Sequence, residues 1–167
     1  MPRAGLDDFA DFVAGSQAKM IRLAELVTGD RNRAEDLAQE GFARAFAAWP
    51  RVRGQDPAAY VRRCIINANI DWWRRRSWRE QPHADIPDQP GGADTAAALV
   101  ARDVVLRALS RLTARERVVV VLRFYLDLPE AQISEELGIA RGTVKSALAR
   151  ALGKLRADAE LRSGATS

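Results

Sequence analysis

Tryptophan and arginine side chains, a combination suited to nucleic-acid binding, are concentrated between positions 72 and 79 of this sequence. Three tryptophans alternate with four arginines there: Trp72, Trp73 and Trp78 with Arg74, Arg75, Arg76 and Arg79. Aromatic rings stack on unpaired bases, and arginines neutralise phosphates. The alternative is that the rings belong to a core and the cations to a solvated helix end. Because positions 72, 73 and 78 of a helix point in different directions, the pattern favours nucleic-acid binding.

A second polar group lies on one face of the segment 141–156. It consists of hydroxyls and cations: Thr143, Ser146 and Arg150, with Arg141, Lys145 and Lys154 at its flanks. The opposite face is an apolar stripe, and the segment follows a shorter amphipathic stretch that ends at Gly138. This arrangement predicts a helix-turn-helix whose second helix enters the DNA major groove. The alternative is a plain helical hairpin with a solvated basic face.

The residues needed for bond chemistry or metal binding are scarce. Cys64 and His83 are the single cysteine and the single histidine, so cysteine-based zinc sites, His-rich metal sites and intramolecular disulfides are excluded. The sequence has no Ser/His/Asp, Cys/His or glycine-rich phosphate-binding pattern. We therefore predict neither an enzyme nor a bound metal, cofactor or small-molecule substrate.

The periodicity of apolar residues predicts an all-α protein. The expected helices cover residues 7–27, 32–49, 58–80 and 99–112, with an interruption allowed at Gly15 and a loop over 50–57. Gly29 suits a helix end, and Asp30 or Asn32 suits the next helix start. The residues from Thr113 to Glu116 form a capping box, which favours helix over strand for the β-branched run 118–121.

Charge and composition divide the chain into two parts. The 167 residues carry 26 Lys and Arg against 22 Asp and Glu, a net charge of +4. Residues 81–98 are rich in Pro and Gly, have no Lys or Arg, and include Asp85, Asp88 and Asp94. We predict a helical domain over 1–80, a flexible acidic linker over 81–98, and a helix-turn-helix domain over 99–167. Basic blocks on both sides of the linker indicate a polyanionic partner.

The N-terminal residues and the length of the apolar runs indicate location. No apolar run approaches the roughly 20 residues that cross a bilayer. Acidic residues occupy the positions where a signal peptide would have its apolar core. The sequence therefore predicts a cytoplasmic protein.

Four ordered segments together resemble one known family. Residues 29–49, 56–76, 112–140 and 141–156 are similar to those of bacterial sigma factors of the extracytoplasmic-function (ECF) group in the sigma-70 family, most of all to an actinobacterial SigE-type subgroup. The resemblance covers about residues 8–160. It implies a sigma-2-like helical bundle and a sigma-4-like helix-turn-helix domain. It also implies a transcription-initiation factor that directs polymerase to minus-10/minus-35 promoters and assists DNA melting.

The resemblance also implies roles for individual residues. The polymerase-docking positions are Asp36, Gln39, Glu40 and Arg44. The minus-10 and melting positions are Arg51 and Arg53 in a base-capturing loop, Asn67 and Asp71, the pair Trp72 and Trp73, and the basic end Arg74, Arg75 and Arg76. The minus-35 recognition helix carries Arg141, Thr143, Lys145, Ser146 and Arg150. Two departures stand out: Ala147 replaces a usual arginine, which would remove a phosphate contact, and Asn69 replaces a usual small apolar residue.

The implied partners are promoter DNA and core RNA polymerase, contacted at its clamp and flap. The family is commonly held inactive by an anti-sigma factor, although the sequence identifies none. The alternative function is a helix-turn-helix transcription regulator that binds duplex DNA without being a polymerase subunit. Such a regulator would use its N-terminal half for sensing or dimerisation and would not associate with polymerase.

Overall fold

The computed structural model describes residues 2–78 and 104–164, and every regular element in these two ranges is helical. The all-α prediction is therefore confirmed. The chain divides into two compact units, 1–89 and 90–167. The predicted boundaries at 80 and 98, and the linker between them, lie outside the described residues and stay a prediction.

The first unit contains three long helices and one short one. They are α1 (Arg3–Thr28), α2 (Arg31–Ala47), α3 (Trp49–Val52) and α4 (Pro57–Trp78). Helix α2 packs against both α1 and α4. The approach of α2 to α4 is close at Gly41, where a Cβ atom would lie 3.0 Å from Cγ1 of Val61. Glycine at this position therefore lets the two helix backbones come together.

Apolar side chains of the three long helices form the core of this unit. The fully buried ones include Leu23, Val27, Ala34, Val61, Ile65 and Ile66. At one end, an aromatic cluster joins the first half of α1 to α2 and α3. The ring centroids of Phe9 and Trp49 are 5.1 Å apart, and those of Phe12 and Phe42 are 5.8 Å apart. The apolar stripe of α2 faces inward from Ala34 to Ala45, but Phe46, which the same periodicity predicts to be buried, is exposed.

Local signals at the boundary between α1 and α2 act as expected. Gly29 ends α1 with a φ of 73°, and the Asp30 carboxylate caps α2 by accepting from the amides of Asn32 and Arg33. The interruption that the sequence allows at Gly15 does not occur, because α1 is continuous. The Ser16 hydroxyl donates to the Phe12 carbonyl at 2.6 Å, so this polar side chain is satisfied within the helix.

The predicted boundary between α2 and the following loop also needs correction. Helix α2 ends at Ala47, and Trp49–Val52 form a separate turn of helix, α3, where a loop was expected. Pro50 is tolerated there because the first turn of a helix does not need its N–H. Trp49 and Val52 are buried, so α3 is held by packing.

The second unit builds the helix-turn-helix. Its described helices are α5 (104–110), α6 (Ala114–Val120), α7 (Glu130–Leu137) and α8 (Arg141–Gly164), with a π-helical turn over Val121–Tyr125 after α6. The capping box is present, and the β-branched run is helical as predicted. Apolar spacing predicts that Val105, Leu109 and Leu112 face inward from the helix over 99–112. Leu109 and Leu112 are buried, but Val105 is exposed, so the prediction is wrong at that position. No helix of the described ranges is long and apolar enough to span a membrane.

Candidate nucleic-acid and polymerase interfaces

The two described tryptophans at the end of α4 form an edge-to-face pair. The ring centroids of Trp72 and Trp73 are 5.2 Å apart with planes at 90°. Both side chains are half-buried, whereas Arg74 and Arg75 are exposed. Arg76 lies in α4, but its side chain and that of Trp78 fall outside the described residues. Each tryptophan side chain is therefore partly buried in the unit and partly accessible to solvent, and the accessible part lies beside exposed cations.

A contact from α2 holds the first of these rings, and the sequence pattern does not reveal it. The guanidinium carbon of Arg33 lies 3.6 Å from the centroid of the Trp72 ring. Arg33 also donates a hydrogen bond of 2.5 Å to Oδ1 of Asn69, which is completely buried. Asn69 was singled out in the sequence without a role, and the structure shows that it joins α4 to α2.

A groove of about 460 Å³ runs between α2 and α4. It brings together residues that the sequence analysis assigned to two different partners. From α2 it takes Asp36, Glu40 and Arg44, and from α4 it takes Asn67, Asp71, Trp72 and Arg75. The predicted docking and melting surfaces are therefore adjacent, with one shared edge. Gln39 is exposed on α2 and does not line the groove.

Charges on the α2 side of the groove are partly paired. Arg44 donates to Glu40 at 2.7 Å, and this hydrogen bond raises the pKa of the Arg44 guanidinium. Cys64 also faces the groove, and burial raises the pKa of its thiol, so the thiol stays protonated at neutral pH. The cysteine therefore has the character of a packing residue. Asp36 and Glu40 give this face of α2 exposed carboxylates.

The arginines of the predicted base-capturing loop differ in their surroundings. Arg51 is exposed on α3, whereas Arg53 forms an ion pair of 2.5 Å with Asp8 of α1. Asp56 ends the loop and caps α4 by accepting from the Ala59 amide at 3.0 Å. Both partners of the ion pair are about half exposed, with side-chain exposures of 47% and 49%, so solvent screens it and a phosphate could replace Asp8.

The turn of the helix-turn-helix is set by Gly138 and Ser134. Gly138 has a φ of 63°, which favours glycine. The Ser134 hydroxyl donates to the Ile139 carbonyl at 2.6 Å and fixes the chain before α8 begins. On α8, Arg141, Lys145, Ser146 and Arg150 are exposed, and Thr143 is half-buried. The five predicted recognition residues thus share the first turns of one helix and its outer side.

The inner side of α8 corrects one expectation. Ala147 has no exposed surface and packs in the core of the second unit together with Val144 and Ala151. The side chain at this position therefore points inward. The expectation that this alanine marks a missing phosphate contact does not hold for this chain.

Glu116 connects the capping box to the basic side of α8. Its carboxylate accepts from the Thr113 amide at 3.0 Å and from the Lys154 ammonium at 2.6 Å. Nε of Arg150 lies 3.7 Å from it. Burial by itself would raise the pKa of Glu116, but the hydrogen bonds from Lys154 and Thr113 outweigh it and lower the pKa. The cation predicted at one flank of the recognition face is thus used to hold α8 against α6.

No group of three or more His, Cys, Asp or Glu side chains in the described ranges is arranged to hold a metal ion. The chemistry that the described surfaces support is recognition: stacking on Trp72 and Trp73, phosphate contact at the exposed arginines, and carboxylate pairing at Asp36 and Glu40. These surfaces occur on both units of one chain.

Comparison with known proteins gives this arrangement a family. The model of sigma-70 region 2 matches residues 12–79, and that of sigma-70 region 4 matches residues 102–155. The co-crystal structure of the sigma factor RpoE in complex with the anti-sigma factor NepR from Bartonella quintana has a TM-score of 0.63. The two sequences are 23% identical, and the match covers 89% of this chain and 94% of the RpoE chain. At this identity the likeness shows the fold alone.

Relatives at higher identity are actinobacterial, as the sequence resemblance predicts. The chain is 34% identical over 150 residues to the RNA polymerase sigma-E factor of Streptomyces coelicolor, covering 89% of this chain and 84% of the relative. It is 37% identical over 147 residues to the ECF RNA polymerase sigma factor SigL of Mycobacterium tuberculosis, a match that covers 83% of this chain and 81% of SigL. The chain therefore belongs to the sigma-70 family of RNA polymerase sigma factors, in its ECF group.

Proposed function

We propose that this chain binds core RNA polymerase, directs it to promoters with minus-10 and minus-35 elements, and assists DNA melting. One observation carries the proposal: two separate surfaces with exposed cations, the end of α4 and the outer side of α8, lie on the two units that match sigma-70 regions 2 and 4. A reader of two promoter elements needs two such surfaces on one chain. Their combined binding would exceed the affinity of each alone.

Docking on the polymerase clamp is assigned to the outer face of α2. Asp36, Gln39 and Glu40 are exposed there, with Arg44 paired to Glu40. A carboxylate-rich helix face suits a basic partner surface, since complementary charges steer association and fix register. In the second unit, Phe124 and Tyr125 are 58% and 40% exposed after α6. Exposed aromatic rings favour a protein partner at this position, which we assign to the polymerase flap.

Melting is assigned to the end of α4 and the loop before it. Asn67 and Asp71 line the groove together with Trp72, so hydrogen-bonding groups lie beside a stacking ring. Trapping an unpaired base requires unstacking of a few kcal/mol, and stacking on an aromatic side chain returns about 1–3 kcal/mol per base. Arg51, Arg53, Arg74, Arg75 and Arg76 would contact phosphates, although Arg53 must first leave Asp8.

Minus-35 recognition is assigned to α8, through Arg141, Thr143, Lys145, Ser146 and Arg150. This arrangement corresponds to the helix-turn-helix geometry in which the N-terminal part of the second helix reaches base edges. Arginine and lysine would supply phosphate contacts and guanine contacts, and the hydroxyls would contact either bases or phosphates.

The function also implies a partner, a location and a non-catalytic role. The related RpoE structure contains an anti-sigma factor, NepR. We propose that a protein of this class also binds the present chain. The chain would act in the cytoplasm, where polymerase transcribes the chromosome. It would make no bond itself, because phosphodiester synthesis belongs to the polymerase.

Reconstitution with core polymerase tests this function. The purified chain is mixed with core enzyme, the complex is isolated by gel filtration, and transcripts from a genomic promoter library are sequenced. We expect a stable complex and transcripts that start at a defined set of promoters. A duplex-binding regulator would instead bind DNA without forming the complex. Absence of both the complex and the transcripts would rule out the proposed function.

A further inference from the structure

Asn69 is an unfavourable residue for its position unless it has a specific partner. It lies inside α4 and is completely buried, and asparagine is a poor helix former. Its amide nitrogen has no hydrogen-bond partner among the described residues, and a buried polar group in that state costs about 1–3 kcal/mol. The only strong contact that the described structure gives to its side chain is the hydrogen bond from Arg33 to Oδ1.

That hydrogen bond fixes a guanidinium that also covers the Trp72 ring. Arg33 comes from α2, 36 positions before Asn69, and its guanidinium carbon is 3.6 Å from the ring centroid. A cation at this distance from an indole face is attracted by the ring quadrupole. The guanidinium therefore has two contacts, the hydrogen bond to the amide oxygen of Asn69 and the cation–π contact with the Trp72 ring.

The Trp72 ring is in turn restrained by two neighbours. The Arg33 guanidinium lies over the ring, and the Trp73 ring stands perpendicular to it at a centroid distance of 5.2 Å. A ring held in one orientation loses less side-chain entropy when a ligand stacks on it than a ring that rotates freely. Trp72 also lines the α2–α4 groove beside Asn67 and Asp71, where hydrogen-bonding groups could contact the edge of a stacked base.

We propose that Arg33 and Asn69 are positioning residues, which fix the Trp72 ring in the orientation that stacks on an unpaired promoter base. The inference rests on the proposed function, since the ligand is the melted minus-10 DNA. Neither residue needs to touch that DNA. Asn69 supplies the buried acceptor that fixes the Arg33 guanidinium. Arg33, on α2, in turn restrains the ring of Trp72, and Trp72 stacks on the base.

Three variants and one control test the proposal. Asn69→Leu keeps the branched shape and the number of side-chain heavy atoms and removes the acceptor, whereas Asn69→Asp keeps an oxygen acceptor for Arg33. Arg33→Met keeps an apolar stem and removes the guanidinium. The control is Arg31→Met on the same helix, because Arg31 pairs with Glu25 and Glu35 rather than with Trp72. Each variant is assembled with core polymerase, and its affinity is measured for promoter DNA with either paired or unpaired minus-10 bases.

We expect Asn69→Leu and Arg33→Met to bind polymerase and paired DNA normally but to bind the unpaired DNA about tenfold more weakly. Asn69→Asp and the Arg31 control should stay within about twofold of the wild type. A purely structural role for Asn69 would weaken polymerase binding as well. Equal binding of the unpaired DNA by Asn69→Leu, Arg33→Met and the wild type, with polymerase binding intact, would overturn the proposal.

A measurement on the free chain separates this proposal from the function on which it rests. All four tryptophans are labelled with fluorotryptophan, and the Trp72 fluorine resonance is assigned with Trp72→Phe. We expect that resonance to shift and broaden in Asn69→Leu and Arg33→Met, while the resonance of Trp49 stays in place. An unchanged Trp72 resonance would refute the positioning role. If the wild-type chain fails to bind polymerase, the proposed function fails, and a shifted resonance would then show a positioned ring without its assigned ligand.

Discussion

At the level of single residues, Glu116 makes both a local hydrogen bond and a long-range one. In the capping box it satisfies the Thr113 amide at the start of α6. The same carboxylate pairs with Lys154, 38 positions further along the chain, on α8. Only 2% of Glu116 is exposed, so its charge depends on these partners. A side chain that starts one helix thereby also fixes the helix that is proposed to read DNA.

The lowered pKa of Glu116 predicts how the stability of the second unit depends on pH. The folded-state pKa lies below the ordinary value of 4.5, so its stabilisation is fully present above about pH 4.5. It is lost as the pH falls through the lowered pKa. We expect Glu116→Gln to reduce the free energy of unfolding near neutral pH by about 1–3 kcal/mol and to flatten the acid dependence. Urea unfolding from about pH 7 to about pH 3 measures both effects.

The matched control is Glu160→Gln, because Glu160 is exposed on α8. Its unfolding curve should follow that of the wild type at each pH. A Glu116→Gln variant with an unchanged acid dependence would show that the carboxylate contributes no pH-dependent stability.

At the level of elements, α2 and α8 each combine a buried apolar face with an outer face proposed to bind a partner. On α2 the inner residues pack against α1 and α4, and Gly41 allows the close contact with α4. On α8 the inner residues include Ala147, whose small side chain fits the core. Outer-face substitutions should therefore change binding with little effect on folding.

Charge reversal on α2 tests its role in docking. We expect Asp36→Lys with Glu40→Lys to abolish binding to core polymerase, because two carboxylates become cations and Arg44 loses its partner. Both positions are exposed, so circular dichroism should show an unchanged helix content. Asp7→Lys with Asp11→Lys makes the same charge change on exposed α1 positions and should retain binding. If the charge-reversed variant still binds polymerase, this face of α2 is a solvent-exposed surface without a role in docking.

Substitution on α8 tests its role in reading the upstream element. Arg141→Ala and Arg150→Ala should each weaken binding to minus-35 DNA and lower the slope of log affinity against log salt by about one. Arg150 also lies near Glu116, so unfolding is measured in parallel to separate stability from binding. Arg156→Ala is the control, as an exposed arginine further along the same helix. An unchanged footprint over the minus-35 element in the Arg150 variant would contradict its assignment.

At the level of the whole molecule, the chain carries two compact units with separate hydrophobic cores. Each unit has its own proposed DNA surface. Joining them raises the effective concentration of the second surface once the first has bound, which is the expected advantage of one chain over two. Promoter selection should therefore depend on the covalent connection between the units.

Cleavage between the units tests that dependence. A specific protease site is inserted between Gln89 and Pro90, where the chain divides into its two units. After cleavage we expect both fragments to keep helical circular dichroism. The first should bind core polymerase, and the second should bind minus-35 DNA weakly, but promoter-specific transcription should fall by at least about tenfold. The uncleaved insertion variant is the control. Full transcription after cleavage would show that the connection is dispensable.

Much of the fold and part of the candidate site follow from local features of the sequence. Apolar periodicity predicts the inner faces of α2 and α8, because a helix repeats every 3.6 residues whatever it packs against. The φ of Gly29 and Gly138, the Asp30 cap and the Thr113–Glu116 capping box depend on neighbouring residues alone. The expectations that the structure corrects have different causes. Trp49 and Val52 are buried, so packing holds a helical turn around Pro50, whereas Gly15 is exposed inside a continuous helix and Val105 is exposed on α5.

Tertiary structure alone determines which side chains meet across helices. Periodicity shows that Asn69 lies on α4 and Arg33 on α2, but it gives no register between the helices, so their contact and the covered Trp72 ring are not predictable from spacing. The pairs Asp8–Arg53 and Glu116–Lys154 are hidden for the same reason. The sequence by itself determines the types of chemistry at the end of α4 and on α8. The packing of α2 on α4 determines that the proposed docking and melting residues share one groove, because side-chain contact depends on distances that only the folded backbone defines.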